Sequence, residues 1–296
     1  MRFANEAAAT AFRVLGTWSA EIESAGPWRW RCVVQNGART PITAAMREGF
    51  LQLAGPASDL REGTRAPEEV LLANDTLAGG ARFALDRFGS GLHVRSDVVL
   101  LEERLLMDRV RSALAGLGQG THRLEHSAVH ENASVSSSAD TGEVDCEELL
   151  RETAWRCTAR GPDEFAVELD AASAPPARIK RDESGIAIGV ELIRPGTMSE
   201  LSQRALAIFL LTAGSALRLA RGRTAEVDGQ RSFGFQVSLA ASAVAEEIDH
   251  ALAALSIAHR MCAREANVLL DEAAARCYLA ARDLPTNHNH EHHKEN

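Results

Sequence analysis

Apolar residues recur at helical spacing over residues 6–23, where Phe12, Leu15, Trp18 and Ile22 share one face until Gly26-Pro27 ends the run. The spacing predicts an amphipathic opening helix. Trp28-Arg-Trp-Arg-Cys-Val-Val then alternates in the manner of a strand, and Asn36-Gly37 marks a tight turn. Residues 42–46 and 50–54, split by Glu48-Gly49, continue as two further strands or one long bent one, so a three-stranded antiparallel meander is expected. Pro67 followed by Glu68 and Glu69 favours a helix to about residue 77, closed by Gly79-Gly80, because carboxylates complement the free amides of a first turn. Residues 82–87 and 92–100 flank a glycine-bearing turn at 88–91. Leu105, Leu106, Val110, Ala113 and Leu114 define a closing helix over 102–117, stopped by Gly116, Gly118 and Gly120. This half reads α-β-β-β-α-β-β-α.

The order then returns. Residues 147–153 predict a short helix, and Trp155-Arg156-Cys157 repeats Trp30-Arg31-Cys32 at the start of a first strand. Residues 165–169 and 186–193 alternate around a turn at 182–185, residues 199–219 form a strongly apolar helix, and strands at 220–227 and 233–239 meet at Asp228-Gly229. Residues 92–117 lie on 233–258 without a gap, which sets Asp108 on Asp249. No Gly or Pro follows Leu239 until Pro285, so a helix broken at most once is expected to run to about residue 282. Its seam of Ile248, Leu252, Leu255, His259, Cys262, Ala266, Leu269 and Ala273 steps by fours and threes, the mark of a helix lying along another helix. Packing of that extension against the first half is favoured over a dimer seam.

Composition sets the limits around this pattern. A chain of 296 residues suits two domains better than one core, and the polar run Asn-Ala-Ser-Val-Ser-Ser-Ser-Ala-Asp-Thr-Gly at 132–142 has the character of a flexible linker between them. The expected division is a first domain at 1–130, a linker at 131–142, a second domain at 143–284 and a disordered tail at 285–296. A formal charge of -9 and a pI near 5.6 argue against a general nucleic-acid binder. Five cysteines with no CxxC spacing fit a reducing compartment, and the first twenty residues lack the apolar core of a secretory signal, so a cytoplasmic location is expected. The most apolar run, 205–213, is too short to span a bilayer.

The twice-repeated order resembles the fold of type III secretion chaperones, the Tir-chaperone-like or YbjN-like superfamily, once per half of the chain. That resemblance implies an α+β fold of two tandem α-β-β-β-α-β-β-α domains with antiparallel sheets, the second carrying a long C-terminal helix. It implies a bacterial, non-enzymatic protein that presents apolar patches to an extended segment of a protein client. Two such units on one chain resemble a covalent pseudo-dimer, monomeric or paired again as a homodimer.

Candidate chemistry is sparse. Trp28, Trp30 and Trp155 are the candidate anchors for a bound peptide, although alternation on a half-buried strand favours the core for them. His122, His126 and His130 would form one stripe on a helix, but they follow two glycines and precede the polar run; the tail histidines His288, His290, His292 and His293 lack supporting structure. No metal or cofactor is expected. His259 and Cys262 sit on the packing seam without a carboxylate to orient the imidazole. Gly116-Leu-Gly-Gln-Gly lacks the Lys-Ser/Thr end of a phosphate loop, and GxSxG and HExxH are absent. The lead expectation is a client-binding module. A structural or regulatory subunit docking through the final helix comes second. An enzyme gathering residues such as His93, His250 and Asp249 comes third.

Overall fold

The computed structural model describes residues 2–36, 38–59, 66–86, 91–125, 146–161, 163–170, 174–182, 185–227 and 230–282. The expected linker and tail, with His126, His130 and the tail histidines, lie outside the described residues. Mixed helix and strand is the observed class: two six-stranded antiparallel sheets and seven α-helices among the described residues.

The first half runs α1 (Arg2–Trp18), β1 (Ser19–Gly26), β2 (Arg29–Asn36), β3 (Ala38–Arg47), β4 (Phe50–Asp59), α2 (Pro67–Ala73), a 3-10 turn (Asn74–Thr76), β5 (Arg82–Leu85), β6 (Gly91–Val99) and α3 (Glu103–Glu125). The second runs α4 (Cys146–Arg151), β7 (Cys157–Gly161), β8 (Glu164–Val167), β9 (Ala177–Asp182), β10 (Gly185–Gly196), α5 (Glu200–Ala216), β11 (Arg221–Val227), β12 (Gln230–Leu239), α6 (Ala245–Val268) and α7 (Glu272–Ala280). Strand order in the first sheet is β1-β2-β3-β4-β6-β5, and in the second it is β7-β8-β9-β10-β12-β11. The two orders are the same.

Four strands, not the expected three, precede the middle helix of each half. The extra strand in the first half is β1, cut from the expected opening helix. Ile22 leaves the helical face and pairs with Cys32, flanked by exposed Glu21 and Glu23. Ser19, Ser24, β-branched Ile22 and Gly26 dilute the helical preference of the alanines and glutamates between them, and a ladder with β2 satisfies the backbone. The added strand of the second half is β9, in which buried Ala177 and Ile179 alternate with charged Arg178 and Lys180.

Helices α1 and α3 cover one face of the first sheet, burying Trp30, Cys32, Val34, Ile42, Ala44, Leu51, Leu53 and Val94, while α6 covers the matching face of β10 and β12. Helix α5 is apolar on every side and accordingly has a neighbour on every side: α2 and β5 from the first half, β11 and α7 from the second. Buried apolar side chains of both halves form one continuous cluster.

The final helix breaks after Val268, and the Asp271 side chain accepts a hydrogen bond from Ala274 N at 2.9 Å to start α7. The expected seam is buried from Ile248 through Leu269; past the break the register resets, so Ala273 is exposed and Ala275 and Leu279 face inward. Helix α7 packs on α5 of its own half, with Phe209 and Tyr278 edge to face at 6.4 Å between ring centroids, rather than on the first half. No helix among the described residues is long and apolar enough to cross a membrane.

Candidate functional site

Two cross-strand rows organise the surfaces that remain. In the first sheet Glu23, Arg31, Thr43, Ala54, Arg95 and Arg82 stand opposite one another in turn, on the face away from α1 and α3. In the second sheet the corresponding row is Thr158, Ala166, Arg178, Gly189, Gln236 and Arg221. Each row ends in a buried arginine, the first residue of the strand after the middle helix. Those two arginines lie where the halves meet.

Arg82 donates through Nε to Gly214 O at 3.1 Å and through Nη2 to Leu217 O at 2.8 Å, the carbonyls left unpaired at the C-terminal end of α5. A cation suits that end of a helix. The same Nη2 reaches Asp97 Oδ2 at 2.6 Å, and Asp97 also accepts from Leu219 N at 2.9 Å and Gln52 Nε2 at 3.2 Å. Burial alone would raise the Asp97 carboxyl, but the Arg82 guanidinium and the Leu219 N–H outweigh it and hold the group below the ordinary carboxylate value. Arg95 donates to Ser215 O beside them.

Arg221 mirrors Arg82. It donates to Leu77 O at 3.4 Å, just past the 3-10 turn that extends α2, and to Ser238 Oγ at 2.7 Å. Burial lowers its guanidinium to about 10 against the pull of Asp75, which lies 3.9 Å away. Asn74 closes the junction by donating to Gly222 O at 3.0 Å and accepting from Phe83 N at 2.6 Å. Gly222 is needed there: a Cβ would sit 2.8 Å from Leu71 and 2.9 Å from Leu210. A second polar bridge, Arg109 to Glu247 at 2.7 and 2.9 Å with a further bond to Ser242 O at 2.8 Å, ties α3 to the start of α6.

The junction covers the β5 and β11 ends of the outward faces, and no helix among the described residues lies over the β1–β4 and β7–β10 ends. On the first sheet this uncovered end holds a groove of ≈ 530 Å³ whose floor includes Val33, Pro41, Ala54 and Pro56, rimmed by Glu21 and Glu23 on one side and His93 on the other.

Trp30 is buried in the core against Phe12, with ring centroids 6.3 Å apart, so it is no surface anchor. Trp155 is half-buried and packs against the core. Trp28 alone of the three is exposed, at 42%, in the turn between β1 and β2. His93 and His250 are not brought together: His93 pairs with Pro56, while His250 meets the Phe50 ring edge at 5.3 Å, six residues and roughly 20 Å away along β4. His259 and Cys262 are both buried on α6, and burial, then Glu265, pushes the Cys262 thiol up to about 12, which leaves it unreactive as a nucleophile at neutral pH. Among the described residues no group of three or more His, Cys, Asp or Glu is placed to hold a metal ion.

Reading the sequence for chemical motifs missed Arg82, Asp97, Asn74, Arg221 and the Arg109–Glu247 bridge. One signal was present: Ala81-Arg82 and Ala220-Arg221 open the second hairpin of each half. No family model, curated protein or solved structure matches this chain.

Proposed function

We propose that this chain is a non-enzymatic protein-binding module in which two tandem chaperone-like domains, with the boundaries expected from sequence, are held together as an intramolecular pair. The uncovered β1–β4 end of the first sheet receives an extended segment of a protein client. The observation that carries this reading is the groove with its apolar floor, left open because the halves use the opposite ends of their sheets to join each other. Reciprocal use of Arg82 and Arg221 supports the pair as one that needs no second chain. Apolar contact supplies affinity in such a groove, and area alone does not set it.

Photo-crosslinking from a benzoylphenylalanine placed at exposed Thr43, in the full chain within its native host, tests this. An adduct mapping to a short segment of one protein is the expected result. No adduct at Thr43, together with no capture from a random peptide library, overturns it.

A second reading has its own observation. Ile257, Met261 and Val268 are exposed on the side of α6 opposite the core, and Leu270 is exposed just beyond. An assembly subunit docking through this helix would lose its partner on Met261→Asp while the Thr43 adduct persists.

A further inference from the structure

Helix α6 carries a second row of residues on the side opposite its buried seam. Ile257, Met261, Arg264 and Val268 follow one another at steps of four, three and four, the spacing of one heptad face. All four are exposed, Ile257 at 43%, Met261 at 56% and Val268 at 55%, and half-buried Ala254 extends the row three residues toward the start of the helix. The inner side of α6 packs on β10 and β12, with further contacts to α4 and α5, and nothing among the described residues covers the outer row. Helix α5, also apolar on more than one side, has a neighbour on each.

The charges beside the row are unpaired. Arg260 precedes Met261 and Glu265 follows Arg264, so the two flank the row on opposite sides. On other helix surfaces charged residues pair within the chain, Arg151 with Glu147, Arg276 with Glu272 and Arg111 with Asp108. The ion pairs of α6 lie near its start, Arg109 with Glu247 and His250 with Glu246, and among the described residues none reaches Arg260, Arg264 or Glu265. Spacing explains this. Four residues from Arg260 stands Arg264, a like charge that weakens a lone helix, and four from Glu265 stand Met261 and Leu269.

We propose that two copies of this chain associate through this row, each α6 lying parallel to the other about a two-fold axis. Ile257, Met261 and Val268 then meet their own counterparts. In a parallel pair the residue just before one seam position lies beside the residue just after the next on the other helix, so Arg260 of each copy meets Glu265 of the other. Arg264 falls on the seam beside that same carboxylate, which stands between two guanidinium groups that lack a partner in the single chain. An antiparallel pair would set the arginine flanks together and the glutamate flanks together, so the charges select the parallel one. A polar residue on the seam fixes the register at a cost in stability, which makes the dimer a weak one. The inference rests on the α6-docking reading and gives it a partner; it shares no residue with the client groove.

Sedimentation equilibrium of the full chain from micromolar to millimolar concentration tests it. A monomer–dimer equilibrium with a dissociation constant of roughly micromolar order is expected. Glu265→Arg sets arginine against arginine on both flanks and should weaken the dimer about tenfold. Arg260→Glu should do the same by setting glutamate against glutamate, and an equimolar mixture of the two variants should dimerise as tightly as the parent. Met261→Asp should leave a monomer. Arg260, Met261 and Glu265 are all exposed, so the fold is retained. A chain that is monomeric throughout, or a dimer indifferent to Glu265→Arg as an antiparallel pair would be, overturns the proposal. A monomer that binds a different protein and loses it on Met261→Asp also overturns it, while keeping the docking reading.

Discussion

Arg82 and Arg221 occupy the same place in the two sheets, and each donates to a carbonyl at the C-terminal end of the other half's middle helix. The exchange is not equal. Arg82 has Asp97 at 2.6 Å with both side chains wholly buried, whereas Asp75 stands 3.9 Å from Arg221 and is partly exposed. Breaking the first pair is therefore expected to cost the junction more than breaking the second.

Removing one partner of that pair leaves a buried charge with nothing to neutralise it. Arg82→Met or Asp97→Leu alone is expected to cost about 3 to 5 kcal/mol, and the double variant less than either single change. Urea unfolding of the four proteins checks this; additive losses would show that the two side chains act separately.

The two carboxylates of the junction act oppositely with pH. Asp97 titrates below its unfolded value, so the unfolded chain binds the extra proton, and its contribution is full at neutral pH and lost as pH falls from about 4. Asp75 is raised, by burial first and against Arg221 and Arg223, so its contribution declines as pH rises above about 4. Asp97→Asn should flatten the acid limb of a stability–pH curve measured by urea midpoint, and Asp75→Asn should steepen it.

Burial decides what an ion pair contributes. Arg109 and Glu247 are bonded through both carboxylate oxygens and nearly enclosed, so Arg109→Ala is expected to cost about 1.5 to 3 kcal/mol, the range for hydrogen bonds to charged groups. Arg276 and Glu272, at 3.0 Å on the surface of α7, should contribute no more than about 0.5 kcal/mol. Denaturation midpoints of the two arginine variants in low and high salt separate the cases, since only the exposed pair is screened.

Trp28 and Trp30 are two residues apart and have opposite roles. Trp30→Ala should lose about 3 to 5 kcal/mol by opening a cavity beside Phe12. Trp28→Gly should stay within about 1 kcal/mol of the parent, because relief of the left-handed strain offsets the apolar surface lost. Thermal unfolding of each variant is the measurement, and a large loss at Trp28 would make it a core residue after all.

Local pattern was enough for much of this molecule. The amphipathic faces of α1, α3 and α6, the apolar α5 with Ser199 capping it, and the recurrence of one order of elements in both halves were all legible, because hydrophobic period and turn chemistry are properties of neighbouring residues. What the pattern could not hold was anything set by a partner distant in the chain. Strand β1 exists because β2 lies beside it, and α7 turns back on α5 because Asp271 restarts the helix in a new register.

The functional surfaces divide in the same way. Trp28, Trp30 and Trp155 carry the same side chain in similar local contexts, and only burial against α1 separates the core Trp30 from the exposed Trp28. Arg82 reaches Leu217 across 135 positions of chain, and Arg221 reaches Leu77 across 144. The sequence by itself determined the helices, most of the strands and their repetition, since these follow from local spacing. Tertiary structure alone decided which ends of the sheets meet and which stay open, because a buried charge is tolerable only where the fold delivers its partner.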